Sequence, residues 1–220
     1  MPIDRTPAEP DIPPKLDESP GDDRPADGAE LSAVALRDAR WAELSVAGLR
    51  LDEVEIAGGD LAGARFVDPS FRDIVIRDAN LANVTLHGGL LWRARIERGR
   101  LTGFAVTEGE LRDVTIHDAT ASMAGFRHAT LTRVTFDGCI LQQADFMGAR
   151  AEDVRFHGCD LTGASFAHAE LAGAEFRRCV MDEVEGVEGL RGAEMDVDQV
   201  VALAPALAAA LGIRLLPDER

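Results

Sequence analysis

The chain has 220 residues, a formal net charge of −16, and an apolar content of 46% that includes 9 Phe and 2 Trp but no Tyr. Acidity on this scale excludes the basic surface that direct nucleic-acid binding requires, and no apolar run approaches the ~18 residues of a membrane span. The 3 Cys make no disulfide framework and point to a reducing cytoplasm.

Residues 1–28 hold seven of the ten prolines (Pro2, Pro7, Pro10, Pro13, Pro14, Pro20 and Pro25) and almost no large apolar side chain. Residues 1–30 alone carry −6 of the net charge. Such a segment buries too little surface to offset its ordering entropy, so 1–28 is expected to be a disordered acidic tail. Its Met1-Pro2 start does not read as a secretory signal.

From Leu31 to Met181 every fifth residue is apolar, 31 positions without an insertion. The stretch Leu131, Phe136, Leu141, Phe146, Ala151, Phe156, Leu161, Phe166, Leu171, Phe176 shows the beat best. Two residues before each centre stands a small or β-branched residue, such as Val134, Cys139 or Ala144. A period of five fits neither an ordinary strand nor a helix. It fits a solenoid in which each repeat buries one side chain and stacks on its neighbours.

Residues 20 apart carry a second signal. One column of centres reads Leu36, Ile56, Ile76, Ile96, Ile116, Phe136, Phe156, Phe176, so like stacks on like, as an in-register parallel ladder prefers. Outward columns alternate in sign: Glu53, Asp73, Arg93, Asp113, Arg133, Asp153 in one, Arg77, Glu97, His117, Asp137, His157, Arg177 in another, and Asp78, Arg98, Asp118 in a third. Opposite signs one rung apart attract, by at most about 1 kcal/mol per exposed pair. The remaining outward columns are mostly Ala, Gly, Thr and Ser. No loop interrupts the repeat where a catalytic group could be mounted, so the chain is expected to be no enzyme and to hold no cofactor.

The units GDLAG (59–63), ANLAN (79–83), GRLTG (99–103), CDLTG (159–163) and AELAG (169–173) resemble the pentapeptide-repeat family, whose consensus is A(D/N)Lxx. The resemblance covers about 155 of the 220 residues. Asp or Asn precedes the centre only at Asp60, Asn80, Asp145 and Asp160, a loose fit to the consensus. The resemblance implies an all-β solenoid over 29–195, a right-handed quadrilateral β-helix with four pentapeptides per turn. About eight 20-residue coils at a spacing of ~4.8 Å would make a rod roughly 37 Å long.

After Val184 the beat slips, and one more short turn is expected at GLRGAEM. Residues 196–220 read as a C-terminal α-helical cap. Asp196 with Gln199 predicts a capping box and Gly212 a stop, while Pro205 is expected to kink or split the helix. From Val200 to Leu211 no side chain is polar. One face can seal the last coil and the other suits a second copy, hence a homodimer through Val200, Leu203, Leu207 and Leu211. Ile213, Leu215 and Leu216 are expected to add an edge strand.

Candidate chemistry is sparse. Cys139, Cys159 and Cys179 fall in one inward column that otherwise holds Gly or Ala, which is small core packing rather than a tetrahedral metal site. His87, His117, His128, His157 and His168 read as surface residues, with column mates too far apart to share an ion. The stretch GLLWRARIERGR (89–100) is the anomaly: Leu90 and Trp92 lie off the beat among arginines. Trp92 is expected to stack between Arg72 and Arg112, and Leu90, Trp92, Arg93 and Arg95 make a candidate partner contact.

These features predict a non-enzymatic scaffold or protein-interaction module. The alternative comes from the end of the chain. GAEMDVDQVVALA resembles the tail of the mycobacterial member of the quinolone-resistance pentapeptide proteins, which mimic B-DNA and occupy DNA gyrase. Against that reading, a duplex carries one charge per ~1.7 Å, so a rod of this length would need some 20 surplus negatives. Residues 31–185 supply −7.

Overall fold

The computed structural model describes residues 6–19 and 21–215. The repeat folds because each five-residue unit ends in one left-handed residue. Every fifth residue from Ala33 to Glu183, two past each apolar centre, has φ between 48° and 81°. Gly and Asp lead that column, as αL backbone favours. At Leu61 the turn closes with the Ala64 N–H donating to the Leu61 carbonyl at 3.0 Å, Gly63 supplying the positive φ of a type II turn. Four such corners return the chain to its start after 20 residues.

The coils then pair in parallel with a shift of 20: Leu51 opposite Phe71, Ile56 opposite Ile76, Phe136 opposite Phe156. Two sides of the square share long strands, Glu30–Arg37, Arg50–Ala57, Ser70–Arg77, Leu90–Glu97, Glu110–His117 and Thr130–Asp137, in an 11-stranded sheet. The other two carry a 4-stranded sheet of three-residue strands and a series of single bridges such as Arg40–Asp60–Asn80–Arg100. The molecule is a parallel β-solenoid of about nine turns with one C-terminal helix, one turn more than the eight coils expected.

The apolar centres fill the interior. Leu31, Ile76 and Ala151 are half-buried and every other centre from Leu36 to Met181 is buried. In the later coils the core is aromatic: Phe126, Phe146 and Phe166 stack at 4.9 and 5.2 Å, Phe136, Phe156 and Phe176 at 5.0 and 4.7 Å, and the two stacks meet edge to face. The earlier coils mix aliphatic centres with Trp41, Phe66, Phe71 and Phe104 and leave a void of about 30 Å³ among them. Its lining is apolar throughout. The three cysteines are buried, each thiol donating to a carbonyl of the preceding coil, Cys139 to Ile116 at 3.2 Å, Cys159 to Phe136 at 3.4 Å and Cys179 to Phe156 at 3.2 Å. Flanked by two other thiols and buried, Cys159 is pushed far above an ordinary thiol pKa. The column is packing.

The last turn runs through a 3₁₀ helix at Val187–Leu190 to the strand Glu194–Met195, which pairs with Glu175–Phe176 one residue short of the 20-residue shift. The helix Val197–Ala210 follows. Gln199 accepts the Asp196 N–H at 2.9 Å and, buried, donates to the Cys179 carbonyl at 3.3 Å, which ties helix to coil. Gly212 at φ 75° ends it, with Ile213 N–H on Ala208 O and Gly212 N–H on Ala209 O, the Schellman pair. Pro205 does not split the helix as expected, because the carbonyl it leaves without a donor is that of Val201, on the exposed face. Ile213 and Leu215 are exposed and lie outside any strand, and Leu216 is outside the described residues.

The expectation of a disordered 1–28 also fails where residues are described. Residues 6–19 lie along the rod. The Ala8 N–H donates to Asp113 Oδ1 at 3.1 Å and the Asp11 N–H to Asp73 Oδ1 at 2.8 Å, Glu9 pairs with Arg95, Pro7 is buried, and Asp17–Ser19 pairs with Val34–Leu36. Gly21 to Gly28 then cover the open end: Trp41 Nε1 donates to the Asp23 carbonyl at 3.0 Å and Gly28 N–H to Ala47 O at 2.8 Å. The segment needs no core of its own, since the solenoid supplies the acceptors and the surface.

Candidate interaction surface

The laddered corner between the two long-stranded sides is the most chemically dense surface of the molecule. It is built by the αL column Ala33, Glu53, Asp73, Arg93, Asp113, Arg133, Asp153. A residue at a left-handed corner points away from the coil, so neighbours in the column stand one rung apart and alternate charge becomes direct pairing. Arg93 Nε meets Asp73 Oδ1 at 2.6 Å, with a second bond from its Nη2 to Oδ2. Arg133 grips Asp113 in the same way at 2.6 and 2.8 Å. On the adjoining columns Arg98 holds Asp78 at 2.8 and 2.9 Å, Arg77 meets Glu97 at 3.1 Å, and His117 lies 3.3 Å from Asp137. The expected ladders therefore form coil to coil.

Two members are not outward in the expected sense. Asp73 and Asp113 are 3% and 4% exposed, because residues 6–12 lie over them. Burial raises the Asp73 pKa, but the Arg93 hydrogen bonds, the Asp11 N–H and the charges of Arg93 and Arg72 outweigh it and hold the carboxyl below its ordinary 3.8. At Asp113 burial is likewise outweighed, by Arg133, the Ala8 N–H and the Trp92 indole. Lowered folded-state values mean that this pairing stabilises the structure above the unfolded value near 3.8 and is lost as pH falls through the lower, folded one. The amide NMR shifts of Ala8 and Asp11 should accordingly be flat from about pH 5 to 8 and move together only below about pH 4. A midpoint near pH 6 would show that other groups hold the strap.

The four expected contact residues come together in the strand Leu90–Glu97. Trp92 lies half-buried with Arg72 at 4.9 Å and Arg93 at 4.2 Å from its ring. Register puts Arg112 opposite Trp92 as well, but Arg112 turns to Glu110 at 3.2 Å, so Arg93 takes the place expected of it. Arg95 pairs with Glu9 and lies 3.6 Å from Glu97. Leu90 is half-buried between Ser70 and Glu110. The strap residues Ala8, Glu9 and Asp11 belong to the same site and were not expected there. Their signal in the sequence is the proline spacing Pro7, Pro10, Pro13.

The second surface is the C-terminal helix. Leu203 is 2% exposed and, with Leu207, covers the last turn at Val187, Leu190 and Met195. Val200 and Leu211, assigned to the same set, are exposed, as are Val197 and Val201. The helix thus has one seated face and one bare apolar face. Among the described residues no helix is long and apolar enough to cross a membrane.

Comparison with known proteins gives a match over part of the chain. Residues 129–186 match the model of the pentapeptide repeat region. No curated protein matches the chain. Among solved structures, a trypsin-treated form of QnrB1, a plasmid-mediated fluoroquinolone resistance protein, is similar at 18% identity over 92% of this chain and 98% of its own, with a TM-score of 0.36. HetL, a pentapeptide repeat protein involved in heterocyst differentiation regulation from the cyanobacterium Nostoc sp. strain PCC 7120, is similar at 21% identity over 83% of this chain and 86% of its own, with a TM-score of 0.35. Residues 129–186 match the pentapeptide repeat region, and the same five-residue coil runs on from them in both directions.

Proposed function

We propose that the protein is a non-enzymatic scaffold: a rigid rod, joined to a second copy through its C-terminal helix, that presents the Trp92 corner to a protein partner in a reducing cytoplasm. The observation that carries the reading is the self-pairing of charge. Along the laddered half Asp73, Asp78 and Asp113 each have their arginine within the rod, while Trp92, Leu90 and two arginines form an aromatic and cationic patch of the composition found at interface hot spots. A filled interior and three buried thiols favour binding over catalysis.

The alternative, a topoisomerase-binding DNA mimic, is weakened by the same pairing, because arginines neutralise the acids that would have to stand for phosphates. Two measurements separate them. Capture of a partner from native lysate by the immobilised protein should fall at least tenfold with Trp92→Ala at unchanged circular dichroism. Purified protein at micromolar concentration should leave gyrase supercoiling unchanged. Inhibition of supercoiling would overturn the scaffold reading in favour of mimicry.

A further inference from the structure

The strap and the corner ladder share a spacing. Ala8 and Asp11 are three residues apart in a segment whose prolines, at 7, 10, 13 and 14, hold it extended. Three residues of polyproline II advance about 9.3 Å and bring the same face round again. Their acceptors, Asp113 and Asp73, are two coils apart, or roughly 9.6 Å of ladder. A polyproline II chain running down the rod therefore offers one N–H to every second rung, and every second rung here is an aspartate. Toward the start of the rod the match stops on strap and corner together. The next residue in step is Pro14, which has no N–H, and the corner two coils below Asp73 is Ala33, which has no acceptor. Between the two donors Glu9 meets Arg95, and Pro7 is buried on the rod surface.

We propose that this corner is a groove for extended, acidic, proline-rich peptides, read through backbone N–H groups at every third residue, and that residues 6–19 are its built-in competitor. The proposal rests on the scaffold reading above and gives the partner a chemistry: proline followed by a residue with a free N–H, repeated at an interval of three, with an acid between for Arg95. Carboxylates already fixed by Arg93 and Arg133 cost little further ordering when they accept such donors. The strap holds by two backbone bonds, one ion pair and a three-residue strand, and its Glu9, Asp11, Lys15, Asp17 and Glu18 remain exposed. Tethering gives it an effective concentration of order mM, so a partner peptide enters when the strap is loosened.

The test is a full chain with Ala8→Pro and Asp11→Pro, which keeps the extended backbone and removes both donors. The probe is a fluorescein-labelled peptide of residues 6–19 in the natural sequence, read by anisotropy. Hydrogen exchange of residues 15–19 should rise in the variant as the strap leaves. The peptide should then bind saturably, at least tenfold more tightly than to the unmodified chain, and a peptide carrying the same two prolines should bind at least tenfold more weakly. A strap that stays protected in the variant, equal binding of the two peptides, or no binding up to about 1 mM would each overturn the proposal. Because both components are purified, the result stands apart from the lysate capture that tests the scaffold reading.

Discussion

Replacing Phe156 with alanine is expected to destabilise the rod by about 4 kcal/mol, the upper range for a buried aromatic. Phe156 is fully buried at the crossing of both aromatic stacks. It stacks on Phe136 at 5.0 Å and on Phe176 at 4.7 Å, and meets Phe146 edge to face at 5.5 Å. Truncation removes its own burial and leaves partners on three sides facing a void, and each lost aromatic pair adds about 0.5–1.5 kcal/mol. For a chain of this length the midpoint of thermal unfolding should fall by roughly 10 °C. Ile76→Ala is the control: it is a centre of the same column but half-exposed, and should cost about 1 kcal/mol. Since each coil touches only the next, the loss should appear first in the C-terminal coils as local opening, visible by hydrogen exchange before global melting. A cost below about 1.5 kcal/mol for Phe156→Ala would mean that the later coils repack and that the stacks are not fixed.

The second large effect is expected at the lid. Leu203→Asp puts a carboxylate where the side chain is 2% exposed, against Val187, Leu190 and Met195. The helix must either bury that charge without a partner or lift off, at a cost of about 3–5 kcal/mol for the seated arrangement. Lifting uncovers the edge strand Glu194–Met195 and the end of the core, so helical circular dichroism should fall and light scattering should show concentration-dependent association. Leu211→Asp is the contrast. At 78% exposure it touches little within one copy, so the circular dichroism should not change, whereas the proposed dimer should dissociate. A dimer that survives Leu211→Asp would take this face out of self-association and leave the helix as a lid alone.

Most of the fold could be read from the sequence because a solenoid converts distance along the chain into position. A residue's neighbours are 20 away, so Phe156 announces Phe136 and Phe176, and Arg93 announces Asp73. The helix caps were legible for the same local reason, through Asp196, Gln199 and Gly212. The strap was not. Its bonds span 62 and 105 residues and use backbone N–H groups, so the proline spacing marks an extended segment without marking where it lands. Reading 6–28 by composition alone counts the surface it lacks and misses the acceptors the rod provides. The same omission made Asp73 and Asp113 look solvent-facing. Trp92 was half legible: the register supplied Arg72, but the preference of Arg112 for Glu110 depends on rotamers within one strand.

The ladder keeps a step of 20 through its length and breaks it at both ends. Asp17–Ser19 pairs 17 residues away from Val34–Leu36, and Glu194–Met195 pairs 19 away from Glu175–Phe176. The connecting chain is shorter at each end, and each end strand is only two or three residues wide. Residues 21–28 lie over one end and the C-terminal helix over the other, so a second rod arriving end-on meets a short, covered edge instead of a full coil. The molecule has the architecture of a fibre subunit whose two growing faces are closed by its own chain ends.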